Sequence, residues 1–249
     1  MKTWIFLLLG LSIGVSAMAQ NPDPKEIIRK VDEKLKGTTN RSEMKMTIIR
    51  PTWTREMTMK TWGKGDDYAL VLVTAPERDK GSAFLKRGKE IWSWQPTIDR
   101  VIKMPPSMMS QSWLGSDFKN DDLVQQTSIV NDFSQKLLGT ETIDGRPCYK
   151  IELIPHEDAA VVWGKIITWV DKTEYLELKT EFFDEDGYLV NTMLGKDVKD
   201  MGGKMLASRL EVIPADEEGN KTILEYQWME FDKPLSDDFF SVQNMKRVK

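Results

Sequence analysis

Residues 175–231 read YLELKTEFFDEDGYLVNTMLGKDVKDMGGKMLASRLEVIPADEEGNKTILEYQWMEF. Three polar turns, DEDG at 184–187, MGGK at 201–204 and DEEGN at 216–220, separate four runs in which apolar and polar residues alternate. Period-two alternation sends successive side chains to opposite faces of a pleat, and Gly with Asp or Asn supplies the tight turns between strands. Parallel strands would need crossovers of a dozen or more residues, which these spacings lack. The stretch predicts a meander in one antiparallel sheet.

The same signal continues upstream. Met44, Met46 and Ile48 alternate with Lys45 and Thr47, and Met57 and Met59 alternate with Thr58 and Lys60, before GKGD at 63–66 turns the chain into YALVLVT at 68–74. Further strands are expected at SAFLK (82–86), KEIWSWQ (89–95), RVIKM (100–104), CYKIELIP (148–155) and KIITWVD (165–171). A helix precedes them: in NPDPKEIIRKVDEKLKG (21–37), Asp23 can cap, Pro24 fits the first turn and Glu26 suits a capping box. Ile27, Ile28, Val31 and Leu35 recur at helical spacing, and Gly37 is the expected stop. Asp121 and Asp122 are expected to cap a second short helix running through Leu123 and Val124. In KEIWSWQ both faces carry bulk, as expected where helices cover one face of the sheet.

Charges of both signs are interspersed (35 Lys and Arg, 39 Asp and Glu), so no basic stripe for nucleic acid or for a membrane surface is visible. Nucleic acid is not expected as a partner. Residues 1–19 read as a cleaved secretory signal: Lys2 is a basic head, Trp4 to Val15 an apolar run, and Ala17-Met18-Ala19 an A-x-A site before Gln20. The run is shorter than the roughly 20 apolar residues that span a bilayer, which speaks against an anchor. About 230 residues remain, read as one domain over 20–249. A lone cysteine, Cys148, cannot close an intramolecular disulfide, so stability must come from a packed core.

Enzyme chemistry finds little support. His156 is the sole histidine, which excludes a His-rich zinc site, and no G-x-S-x-G elbow precedes it. It reads as a solvated loop residue, and Cys148 as a small buried core residue. In DEDG the glycine stands fourth where a calcium loop needs it sixth, and position twelve is Gly195 rather than Glu, so this is a hairpin turn. No catalytic residue, metal site or cofactor is assigned.

The run IWSWQPTIDRVIKMPPSMMSQSWLGSDFKNDDL (91–123), an aromatic-Pro-Arg strand followed by GSDF and DDL, resembles the outer-membrane lipoprotein-sorting family, the LolA-like proteins of Gram-negative bacteria. Residues 174–212 resemble that family's second half. The resemblance implies a mainly β fold with α (α+β): a curved antiparallel sheet forming a half-barrel, covered by helices, with an apolar cavity for acyl chains and a periplasmic location. It implies no catalysis, and as partners it implies the acyl chains of a lipoprotein or lipid and inner- or outer-membrane transport proteins. The chain is longer than the best-known carriers, and members of this longer group are associated with lipid exporters of the resistance-nodulation-division type. The function expected is therefore a carrier that shelters acyl chains on the way to the outer membrane, with a non-carrying accessory subunit of an envelope transporter as the alternative.

Met104, Met108, Met109, Trp113, Leu114 and Phe118 gather in or beside one loop region. They either plug the end of a β core or line a cavity, where flexible thioethers suit irregular apolar shapes. Trp92 and Trp94 share one strand face and carry the same two readings. Pro105-Pro106 can continue neither ladder nor helix, so the loop from Met104 to Phe118 is expected to act as a movable lip over the cargo.

Overall fold

The computed structural model describes residues 22–124, 128–157, 159 and 161–249. The signal segment read at 1–19 lies outside the described residues. The chain opens with α1 (Pro24–Lys36), capped as expected: the Asp23 carboxylate accepts the Lys25 N–H at 3.0 Å, and Gly37 stops the helix at φ 60°. Glu26 pairs with Arg29 one turn on rather than closing a capping box. Only a glycine fits at position 37, because a Cβ there would stand 2.9 Å from Asp232 Oδ1, the atom that accepts the Thr38 N–H.

Thirteen strands follow among the described residues: β1 (Thr39–Arg50), β2 (Trp53–Lys64), β3 (Tyr68–Ala75), β4 (Ala83–Arg87), β5 (Glu90–Gln95), β6 (Arg100–Lys103), then α2 (Asn120–Val124), β7 (Phe133–Ile143), β8 (Arg146–Pro155), β9 (Lys165–Asp171), β10 (Glu177–Phe183), β11 (Leu189–Met201), β12 (Lys204–Pro214) and β13 (Lys221–Phe231), with α3 (Val242–Met245) at the end. All belong to one sheet in the order β6-β5-β4-β3-β2-β1-β13-β12-β11-β10-β9-β8-β7, and every neighbouring pair is antiparallel. The meander expected over 175–231 is present. The one non-sequential pairing, β1 on β13, joins the two halves of the chain. The sheet does not close, since β6 and β7 remain as its edges.

It is nonetheless bent. Ile27, Ile28 and Val31 of α1 pack with Phe133 of β7, while Lys36 at the other end of the same helix pairs with Asp66 in the β2–β3 turn at 2.6 Å. β2 and β7 are eight places apart in the strand order, about 38 Å in a flat sheet at the usual spacing. A 13-residue helix is only about 20 Å long. Both contacts require the sheet to curl around α1.

The helices cover the inner face only in part. α1 packs on β7–β9 and, through Leu35, against the cluster that holds Leu206, Met229 and Phe231 of β12 and β13, and the single turn of α2 lies against β3 and β4, so these helices cover parts of the sheet. The opposite face of β3–β5 is covered as well: Leu70, Leu72, Leu85 and Trp94 pack under Phe240 and Met245 of the C-terminal segment. Bulk on both faces of β5 arises because each face has its own cover, the 104–118 loop on one side and the C-terminal segment on the other.

Candidate functional site

The curl leaves a cavity of about 330 Å³ between α1, α2 and the inner face of the sheet. Met44, Val71, Leu210 and Leu224 form one side of it, and Phe133, Leu153, Trp163 and Ile166 the other. Inner-face residues reach it because strand alternation sends every second side chain of β1, β3, β12 and β13 to that side.

Its polar groups are specifically placed. Where α1 ends, Asp32 pairs with Lys36 at 2.7 Å and Lys34 with Glu174 at 2.9 Å. Burial raises the Asp32 pKa even though Lys36 opposes the shift. Glu177 stands in the β10 wall, where its carboxyl accepts from the Thr168 hydroxyl at 3.1 Å and, more weakly, from that of Thr180 at 3.5 Å. Burial raises its pKa against the pull of Thr168, with the charge of Asp32 adding to the rise. Tyr226 faces in from β13, and burial pushes its phenol up to about 12.

Asp122 sits in the first turn of α2 and accepts the Lys119 N–H at 2.7 Å, the capping role expected of it. Burial, reinforced by neighbouring Asp121, pushes its pKa up to about 7 against the opposing Lys119 N–H and Trp163 bonds. A carboxyl whose folded pKa lies above its unfolded value of about 4 holds more protons folded than unfolded between those values, so stability falls as pH rises from about 4 to about 7 and then levels. Asp122→Asn keeps the acceptor and removes the cost. It should gain on the order of 2 kcal/mol over wild type at pH 8, within the upper limit set by about 1.4 kcal/mol per unit, and little at pH 4. Thermal unfolding at both pH values checks this, and an equal difference at the two would refute it.

A family model described as that of uncharacterized proteins matches residues 65–247. The chain belongs to that family. Its fold is shared with a DUF1329 family protein from Desulfovibrio piger (23% identity, TM-score 0.81, covering 90% of this chain and 100% of that one). A LolA superfamily protein from Nitrosomonas europaea matches at 24% identity and TM-score 0.77, over 88% of this chain and 98% of the other. An outer membrane lipoprotein-sorting protein domain from Vibrio parahaemolyticus matches at 24% and 0.78, over 90% and 98%. None of the curated proteins matches significantly. The LolA-like resemblance read from the sequence is borne out, and the fold is LolA-like: mainly β, antiparallel and open.

Within this LolA-like sheet six of the eight residues singled out from the sequence gather in one core cluster, and Trp92 and Trp94 lie apart from it. Phe118 lines the cavity. Met104, Met109 and Trp113 are buried in the core on the inner side of β1–β5, with Met108 and Leu114 packed against it, so the loop plugs this end of the core. Trp92 and Trp94 lie on the opposite face with the C-terminal segment, the Lys246 ammonium 4.5 Å over the Trp94 ring.

The loop is also tied down, unlike the movable lip expected of it. The Arg50 guanidinium donates to the Asp117 carboxylate at 2.9 and 3.1 Å and to the Gly115 carbonyl at 3.1 Å. Arg55 donates to the Leu114 carbonyl at 3.1 Å, and the Thr222 hydroxyl to Asp117 at 2.7 Å. Trp113 is wholly buried with its ring against Phe84. Pro105 and Pro106 end the ladder, but side chains from β1, β2 and β13 then hold residues 114–117 in place.

Glu177 and Tyr226 carried no signal that singled them out. In a regular strand residues 177 and 180 face opposite ways, yet both reach the cavity because the β10 register shifts between Glu177 and Lys179. His156 is exposed beyond the end of β8, whereas Cys148 is buried near its start. Eight residues of extended chain, about 26 Å, separate the two and preclude a Cys–His pair. Among the described residues no group of three or more His, Cys, Asp or Glu is placed to hold a metal ion.

Proposed function

We propose that this chain is a periplasmic carrier, exported by residues 1–19 and folded as one domain over 20–249, that shelters the acyl chains of a lipoprotein or lipid during transfer to the outer membrane. The observation that carries the reading is the cavity: about 330 Å³, mainly apolar, and within the range of small-molecule sites. A chain of about 14 carbons exposed to water costs on the order of 10 kcal/mol at about 0.8 kcal/mol per CH₂, so unaided transfer is slow and an apolar concavity offsets that cost. The LolA-like fold supports the same reading. Phe118 contacts the cargo directly, and Met104, Met108, Met109, Trp113 and Leu114 form the packed floor behind it. The reading contains no catalytic step. A filled core would have favoured a non-carrying accessory subunit instead.

Native mass spectrometry of the exported protein is expected to show a chain beginning at Gln20 with lipid-sized adducts. Leu210, half-buried on the cavity wall, provides the variant. Leu210→Lys places an ammonium where the acyl chain would lie and should weaken binding of a fluorescent fatty-acyl probe at least tenfold while the protein remains folded. Absence of adducts together with no uptake of the probe by wild type would sink the carrier reading.

A further inference from the structure

Two features of the cavity wall go beyond the shelter of a hydrocarbon chain. The Tyr226 side chain lines the cavity, and its hydroxyl has no hydrogen-bond partner among the described residues. A tyrosine hydroxyl in so enclosed a place ordinarily finds a partner, and here the open cavity is where one would come from. The second feature is charge. Asp32, Asp122 and Glu177 line the cavity with two ammonium groups, Lys34 and Lys36, while Asp117, also in the wall, is taken by Arg50. Both lysines are already taken, Lys34 by Glu174 and Lys36 by Asp32 and Asp66. Glu177 has hydroxyl partners only. An anionic head entering this space would find no unpaired cation among the described lining residues and would meet like charge, whereas a carbonyl would find the Tyr226 donor.

We propose that the cavity selects an uncharged acyl ester or amide, with the Tyr226 hydroxyl donating to the carbonyl oxygen of the acyl group and the carboxyl groups of the wall turning away anionic heads. This rests on the carrier reading and names the chemistry of its cargo. It makes Tyr226 a specificity residue for a linkage rather than another piece of apolar lining. It also separates acylated molecules from free fatty acids of the same chain length.

Three probes of equal chain length test it by displacement of a fluorescent acyl ligand: 1-dodecanoylglycerol, an ester; 1-O-dodecylglycerol, the ether lacking the carbonyl; and dodecanoate, an anion. Wild type is expected to bind the ester about fivefold more tightly than the ether, the worth of one net hydrogen bond, and dodecanoate most weakly at pH 8. Tyr226→Phe removes only the unpartnered hydroxyl, so it should stay folded and bind ester and ether alike. Glu177→Gln should improve dodecanoate binding and leave the ester-to-ether ratio unchanged. Equal binding of ester and ether by wild type, or a preference that survives in Tyr226→Phe, overturns the role of Tyr226. Dodecanoate binding as tightly as the ester overturns the exclusion of anions. The wild-type comparison needs no variant and decides the matter even where Tyr226→Phe does not fold. If none of the three probes competes, the carrier reading falls too, whereas equal competition by all three leaves that reading standing and removes only this inference.

Discussion

Trp113→Ala is expected to lose about 3–5 kcal/mol of stability, the usual cost of truncating a large aromatic in a packed core. The side chain is wholly buried, touches Phe84 and belongs to the core formed with Met57, Met59 and Ile91. In a chain of this size that corresponds to roughly 10 °C in Tm, at about 2–4 °C per kcal/mol. Trp113→Phe should cost much less, because the indole N–H is buried without a hydrogen-bond partner and its removal leaves no acceptor stranded. Trp113→Asp should unfold the protein, and any loss of acyl-probe binding in that variant would result from unfolding. Thermal and denaturant unfolding of the three variants measures the order. A Trp113→Ala protein as stable as wild type would show that the loop is a dispensable flap.

Asp117→Ala is the second large effect. The Arg50 and Asp117 side chains are 14% and 7% exposed, and Asp117 also receives the Thr222 hydroxyl. Removing one member of a buried pair strands the other charge, at a cost of about 3–5 kcal/mol. The double substitution Arg50→Met with Asp117→Leu removes both charges and should destabilise less than Asp117→Ala alone. Since the pair is shielded, added salt should change the Asp117→Ala deficit little. Chemical denaturation of Asp117→Ala, of the single variants Arg50→Met and Asp117→Leu, and of the double in low and high salt tests this. A double variant that loses the sum of the two single losses would show that the residues do not act as a pair.

Much of the scaffold was legible because its signals are local. Asp23, Pro24 and Gly37 bound α1 by backbone chemistry alone, and the turns at 184–187, 201–204 and 216–220 punctuate strands whose alternation is regular. β7 went unread. Its adjacent Leu137 and Leu138, and the bulge between Leu137 and Gly139, break the period-two pattern that marks a strand. The C-terminal cover also went unread, since Phe240 and Met245 lie in short turns whose purpose is visible only once the outer face of β3–β5 exists to receive them.

The site divides the same way. The apolar, Met-rich loop at 104–118 stands out by composition, and composition cannot tell a cavity wall from a core plug: burial made Trp113 a plug and left Phe118 on the wall. Tyr226 and Glu177 are ordinary strand residues in sequence. Their meeting in one cavity depends on β1 pairing with β13, on the register shift in β10 and on the curl of the sheet around α1. The sequence by itself determined strands, turns, the first helix and an antiparallel sheet, because hydrogen-bonding turns and alternating side chains act over a few residues. Which faces close on one another, and which polar groups are left inside, was decided by tertiary structure, because pairings between strands some 180 residues apart and the bending of a thirteen-strand sheet arise from packing across the whole chain.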